Sequence, residues 1–77
     1  MKLHNQKTLI SYVARTTKQR ADYVSIVERW ETDSMGIPKV ARMTSREIHR
    51  TRACAYRYAC SMARYQFAAH CAVYGSK

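Results

Sequence analysis

The feature that most constrains this chain is a run of thirty residues, 45–74, that contains neither glycine nor proline. Alanine is abundant in the run, and Gly75 follows it directly. Alanine is the strongest helix former, and glycine is the residue that most often ends a helix. Thr44 and Glu47 at the start also have the spacing of a capping box. The sequence therefore predicts a long amphipathic C-terminal helix over residues 45–74.

The N-terminal third has apolar residues three and four positions apart, a spacing typical of helices. The first group is Leu9, Ile10 and Val13, and the second is Ala21, Val24, Val27 and Trp30. Between the groups, Thr16 and Gln19 have the spacing of another capping box. The N-terminal helical part is predicted over residues 6–32, as two short helices or one kinked helix.

Gly36 and Pro38 form the one internal cluster of residues that interrupt regular structure. They predict a loop over residues 33–44, in which Pro38 begins a short helical turn that ends at Arg42. A chain of 77 residues is too short for two domains. We therefore expect an all-α fold, with residues 1–77 forming a single small helical domain.

Two segments resemble known DNA-binding families. The segment from Ile37 to Ile48 resembles a helix-turn-helix, with Ala41 in the first helix and Arg46 at the start of the second. Its turn is shorter than the usual glycine-centred one. The segment from Asn5 to Trp30 is similar to the N-terminal helical pair of the bacterial HU-type histone-like proteins, although no β-arm sequence follows. No functional residues are transferred from either resemblance.

Positive charge points to the class of partner. The chain has 14 Lys and Arg against 5 Asp and Glu, a net charge of +9 and a pI near 10.0. On the predicted helix Arg50, Arg57 and Arg64 recur every seven residues, with Arg46 one turn earlier, so the four share one stripe. A row of guanidinium groups is typical of contacts with a phosphate backbone, although it is also what a merely solvated helix face presents.

Further residues extend this predicted binding surface. Lys39 and Arg42 add positive charge from the preceding segment. Three tyrosines beside the stripe, suited to stacking on exposed bases or to a protein interface, are Tyr56, Tyr58 and Tyr65. The predicted function is non-enzymatic nucleic-acid binding through the arginine stripe.

A second function competes with nucleic-acid binding. Tyrosine and arginine are enriched where proteins bind each other, and the predicted helix is rich in both. The chain would then be a small phage-type inhibitor or adaptor that docks on a host protein or on a nuclease, polymerase or CRISPR complex. Its basic face would bind an acidic protein surface. Association with a membrane is ranked last, because the apolar side of the helix has few large aliphatic residues.

Assembly is a further expectation, since so small a chain has little core. Ala55, Ala59 and Ala63, spaced by four, would let a second helix approach closely in a homodimer, or they pack within the monomer. No stretch is apolar enough for a secretory signal or a membrane span. The three cysteines are expected to be reduced thiols of a cytoplasmic protein.

Catalytic and metal chemistry are not expected. The histidines and cysteines of the predicted helix lack the three- or four-residue spacing of metal ligands on one face. The adjacent pair His70 and Cys71 diverges by about 100° around a helix, which makes a poor catalytic dyad. We predict no enzyme activity, no cofactor, no metal and no small-molecule substrate.

Overall fold

Four antiparallel strands are followed by one helix in the computed structural model, which describes residues 1–75 and, for Ser45 and Arg46, the backbone alone. The strands are β1 (Lys2–Asn5), β2 (Ile10–Gln19), β3 (Asp22–Thr32) and β4 (Pro38–His49), and the helix is α1 (Arg52–Tyr74). Each strand pairs with the next in the chain, so their order in the sheet is β1-β2-β3-β4. Helix α1 packs across one face of this sheet and leaves the other face uncovered.

The predicted all-α fold is wrong, because the N-terminal helical part over 6–32 is a β-hairpin. Strands β2 and β3 pair from Ser11 opposite Trp30 to Gln19 opposite Asp22. The predicted capping box, Thr16 to Gln19, is the end of β2. The segment contains many β-branched residues, which favour strands. The segment from Asn5 to Trp30 therefore does not form the helical pair of HU-type proteins that its sequence resembles.

The apolar spacing was misleading because β3 is an inner strand of the sheet, paired on both edges. Five consecutive residues, Val24 to Glu28, are buried, so β3 lacks the alternation of a half-exposed strand. Its apolar residues happen to stand three apart, as on a helix face. The turn before β3, at Arg20 and Ala21, also lacks the glycine or asparagine that marks most tight turns, although Arg20 has a positive φ of 57°.

The predicted loop over 33–44 is shorter than expected, and the predicted turn of helix from Pro38 is absent. The connection covers residues 33–37, where the Asp33 carboxylate accepts hydrogen bonds from the amides of Met35 and Ile37. Strand β4 then begins at Pro38, where a missing amide hydrogen is tolerated because this is the sheet edge. The segment that resembled a helix-turn-helix is therefore an edge strand.

The long C-terminal helix is confirmed in kind, but it begins at Arg52 rather than at residue 45. Residues 45–49 belong to β4, so Thr44 and Glu47 form no capping box. The N-cap is Thr51, whose hydroxyl accepts a hydrogen bond from the Cys54 amide at 3.2 Å. Gly75 ends the helix with a φ of 88°, as expected of a residue after a helix.

Small residues let the helix lie close to the sheet. The core contains Tyr12, Ala14 and Val27 from the strands, and Ala59, Cys60 and Ala63 from the helix. The alanine row predicted to receive a second helix, Ala55, Ala59 and Ala63, is fully buried in the monomer. Its packing partner is therefore the sheet, and no second copy is needed to cover it.

The Asn5 side chain forms hydrogen bonds both with the connection between β1 and β2 and with the residue that ends the helix. Its side-chain oxygen accepts hydrogen bonds from the amides of Lys7 and Thr8, both at 2.9 Å. Its side-chain nitrogen donates to the carbonyl oxygen of Gly75 at 2.6 Å. The residue is completely buried, so these bonds compensate the cost of burying an amide.

Candidate nucleic-acid interface

The outer side of helix α1 carries two of the predicted stripe residues. Arg57 and Arg64 are both exposed. They are seven residues apart on the helix, hence about 10.5 Å apart along its axis and on nearly the same side. They lie opposite the buried alanines Ala59 and Ala63, which face the sheet. We call Arg57 and Arg64 the helix ridge.

The ridge does not continue along one helix to Arg50 and Arg46, as the sequence predicted. Arg50 is exposed but lies in the connection before the N-cap. Arg46 belongs to β4, and its side chain is outside the described part of the structure. The seven-residue spacing therefore places only Arg57 and Arg64 on a common helical stripe.

Lys39 and Arg42 lie on the sheet edge instead of beside the helix start. Both are exposed on β4, where Lys39 stands opposite Glu31 and Arg42 opposite Arg29. Arg29 already forms an ion pair with Glu31 at 2.9 Å. These two cations form a separate basic segment on the edge strand rather than an extension of the ridge.

The three predicted tyrosines differ in how far their rings are exposed for stacking on a base. Tyr65 is 74% exposed and follows Arg64 directly. Tyr58 is half-buried against His49, with ring centroids 5.2 Å apart. Tyr56 is exposed, and its hydroxyl accepts a hydrogen bond from the N-terminal ammonium at 2.9 Å. Tyr65 is thus the best placed of the three to stack on a base.

The pKa of the Tyr56 hydroxyl is raised above its ordinary value. A hydrogen bond to Cys60 and the charge of that thiol are the main causes, and the charge of Arg64 acts in the opposite direction. Tyr56 is therefore neutral at physiological pH and acts as a hydrogen-bonding group.

Acidic residues are concentrated away from the helix. All five of them precede residue 50, and α1 contains none. Glu28 and Glu31 are further engaged by Arg15 and Arg29 at 3.0 and 2.9 Å. Among the described side chains these are the only ion pairs, so the arginines of α1 have no acidic partner there. The outer side of the helix is consequently a surface of uncompensated positive charge.

Arg52 is a basic residue that the seven-residue repeat did not identify as part of the binding surface. It opens α1, and its guanidinium lies 5.7 Å from the centre of the Tyr23 ring in a cation–π contact. The seven-residue repeat excluded it because it falls out of phase with Arg50 and Arg57. Knowing that Thr51 is the N-cap would have placed Arg52 in the first turn of the helix.

The sequence also gave no sign of a polar pair on the uncovered face of the sheet. The Nδ1 atom of His4 lies 2.7 Å from the Ser11 hydroxyl. The two residues are direct cross-strand partners, which only the pairing of β1 with β2 reveals. A serine nucleophile needs a histidine that a third group orients, and no side chain in the described range forms a hydrogen bond with the other ring nitrogen of His4.

Metal-binding clusters and membrane-spanning helices are both absent from the described residues. Those residues contain no group of three His, Cys, Asp or Glu side chains close enough to hold a metal ion. They also contain no helix with the length and apolarity needed to cross a membrane.

Comparisons with other proteins supply no family. No known protein family matches the chain, and no curated protein and no solved structure shows significant similarity to it.

Proposed function

We propose that the protein binds nucleic acid through the helix ridge, and that it does so without catalysis. The observation that carries this proposal is the charge of the helix: Arg57 and Arg64 point to solvent on an element without a single acidic residue. When exposed guanidinium groups with no carboxylate nearby neutralise phosphates, the cations condensed on the nucleic acid are released, and this release favours binding.

The shape of the ridge suits backbone contacts rather than base readout. Its two arginines are spaced along a straight element, and the side chains between them on the outer side, such as Ser61, are small. Apart from arginine, specific base contacts use asparagine or glutamine side chains inserted in a groove. The helix has one glutamine, Gln66, and its amide is engaged by Thr44 at 3.0 Å. Binding is therefore expected to show little sequence preference.

The test is a fluorescence-anisotropy titration of labelled duplex DNA, single-stranded DNA and RNA at several salt concentrations. Phosphate contacts predict binding that weakens steeply as salt rises, with similar affinity for unrelated sequences. Comparing the affinities for the three ligands then shows whether the exposed Tyr65 contributes stacking. Because stacking requires unpaired bases, it would favour the single-stranded ligands. Lack of binding at physiological salt would contradict the proposal.

A second function is favoured by a different observation. The sheet face away from the helix carries large exposed apolar side chains on the edge strand, namely Val40, Met43 and Ile48. Ile48 is 66% exposed. Clustered apolar residues on an open face are typical of a protein-docking surface. Lys39 and Arg42 lie on the same strand but project from its opposite face, since their register partners are Glu31 and Arg29. An acidic protein partner, as in the inhibitor or adaptor predicted from the sequence, would reach them around the edge of the sheet.

The proposed setting is the cytoplasm. Cys54, Cys60 and Cys71 are all free thiols in the structure, and free thiols persist where the environment is reducing.

A further inference from the structure

We propose that a pocket on the uncovered face of the sheet binds a single nucleotide unit, with its base against Trp30 and its phosphate at Lys2. The pocket has a volume of about 500 Å³, within the range of small-ligand sites. It lies on the opposite side of the sheet from the helix ridge. The proposal therefore stands independently of the ridge, and it departs from the expectation that no small molecule is bound.

The pairing of the strands builds the pocket floor from two adjacent rows of residues. In the first row His4 stands opposite Ser11, and Ser11 stands opposite Trp30. In the second row Lys2 stands opposite Val13. Trp30 and Lys2 therefore lie on the same face, one row and two strands apart. Strand spacing puts their Cα atoms about 12 Å from each other, a gap that a nucleotide and the two long side chains can span.

Trp30 is held in place by a chain of polar contacts. Its indole nitrogen donates a hydrogen bond to the Glu28 carboxylate at 3.3 Å, and that carboxylate pairs with Arg15 at 3.0 Å. Glu28 is only 7% exposed, so the arrangement is largely removed from water. An aromatic side chain fixed in this way gives a stacking surface that does not lose freedom on binding.

The charge of the pocket favours an anion. Lys2 and His4 line it and have no acidic partner among the described residues. Glu31 is the only acidic residue in the lining, and its carboxylate is already paired with Arg29 at 2.9 Å. The Ser11 hydroxyl, bonded to His4, adds a buried polar group that can hydrogen-bond a base edge.

Two unusual backbone conformations form the rim. Leu9 lies in the left-handed region, with a φ of 60°, and Gly36 has a φ of 83°. A bulky residue seldom adopts that conformation, and such residues concentrate at ligand sites. The result is a half-exposed leucine side chain at the edge of the pocket. It would cover one side of a bound base.

The test uses the fluorescence of Trp30, which is the only tryptophan of the chain. The wild-type protein is titrated with each 5′-mononucleotide and with a 5′-phosphorylated pentanucleotide. The proposal predicts saturable quenching, because a stacked base contacts the indole. Tighter binding of the pentanucleotide would identify a nucleic-acid strand as the source of the unit, and equal or tighter binding of the mononucleotide would identify a free nucleotide.

Variants then locate the site. Lys2→Gln should weaken binding about fivefold, the effect of one exposed ion pair. The matched control Lys18→Gln removes the same charge from the exposed end of β2 and should leave affinity unchanged. The double variant Arg57→Gln/Arg64→Gln should also bind mononucleotides normally, which separates the pocket from the ridge.

Three results would overturn the proposal. The first is that neither kind of ligand quenches Trp30 in a saturable way. The second is that wild type and Lys2→Gln bind mononucleotides with equal affinity, and the third is that the ridge variant no longer binds mononucleotides. Circular dichroism of each variant shows whether the fold is retained. If Lys2→Gln fails to fold, uncharged nucleosides replace it as the test: they should bind about fivefold more weakly than the nucleotides, and equal affinity would contradict the role of Lys2.

Discussion

The hydroxyl of Thr8 lies 2.8 Å from Nε2 of His70 and joins the connection between β1 and β2 to the last turns of the helix. His70 is only 5% exposed, and its ring packs against the rings of Tyr12 and Tyr74. Burial lowers the pKa of His70 below its ordinary value, and the charge of Arg29 lowers it further. The imidazole is therefore neutral in the folded protein.

This lowered pKa makes stability depend on pH. The unfolded chain binds a proton at His70 near pH 6.5, whereas the folded chain does so only at lower pH. The free energy of unfolding should hence be highest above about pH 6.5 and should fall as the pH drops from there towards the folded pKa. Thermal unfolding between pH 8 and pH 5 measures this. In His70→Gln the fall should be smaller, and an unchanged profile would contradict the role of His70.

Asn5 provides a second prediction about the same end of the molecule. Asn5→Ala removes the acceptor for two amides and the donor to Gly75, so it should lower the free energy of unfolding by about 3 kcal/mol. Urea unfolding measures the change. The neighbouring exposed residue provides the control, since Gln6→Ala should have almost no effect. Similar losses in the two variants would show that Asn5 does not hold the connection to the helix.

The orientation of the helix is tested by enlarging an alanine on each side. Ala59 is completely buried against the sheet, so Ala59→Leu should overpack the core and cost about 1–3 kcal/mol. Ala68 is exposed on the outer side, so Ala68→Leu should leave stability nearly unchanged. Urea unfolding of both variants gives the comparison. A larger loss of stability in Ala68→Leu than in Ala59→Leu would mean that the outer side of the helix is the packed one.

The helix was predictable from sequence because local signals agree over its length. Residues 52–74 combine high alanine content with no glycine or proline, and Gly75 supplies the end. Its beginning was not predictable, because Thr44 and Glu47 match a capping box better than Thr51 and Cys54 do. Only the pairing of β4 with β3 shows that residues 45–49 belong to a strand.

The sheet was not predictable from the patterns used, for reasons that lie in particular residues. Val24 and Val27 are three apart as on a helix, and both are buried although they lie on opposite faces of β3. Of the candidate site, Arg57 and Arg64 share a stripe because both lie inside the real helix. Arg50 does not share it, since its position depended on a helix that began seven residues too early. The Trp30 pocket depends on strand register, which helical spacing cannot reveal.

The central claim is that the helix ridge contacts phosphates, and the most direct test compares the salt dependence of binding in two charge-matched variants. Arg57→Gln/Arg64→Gln removes the ridge. Lys18→Gln/Arg20→Asn removes two charges from the exposed end of β2 and the turn that follows it, with asparagine chosen because it tolerates the positive φ of Arg20. Both variants should first be shown to keep the wild-type circular dichroism spectrum.

The measurement is the slope of log affinity against log salt for duplex DNA. Loss of two phosphate contacts should reduce the magnitude of the slope by about 1.8 in the ridge variant and should weaken binding to all sequences alike. The turn variant should keep the wild-type slope. Equal slopes in the ridge variant and the wild type would contradict the account and would favour the protein-docking function of β4.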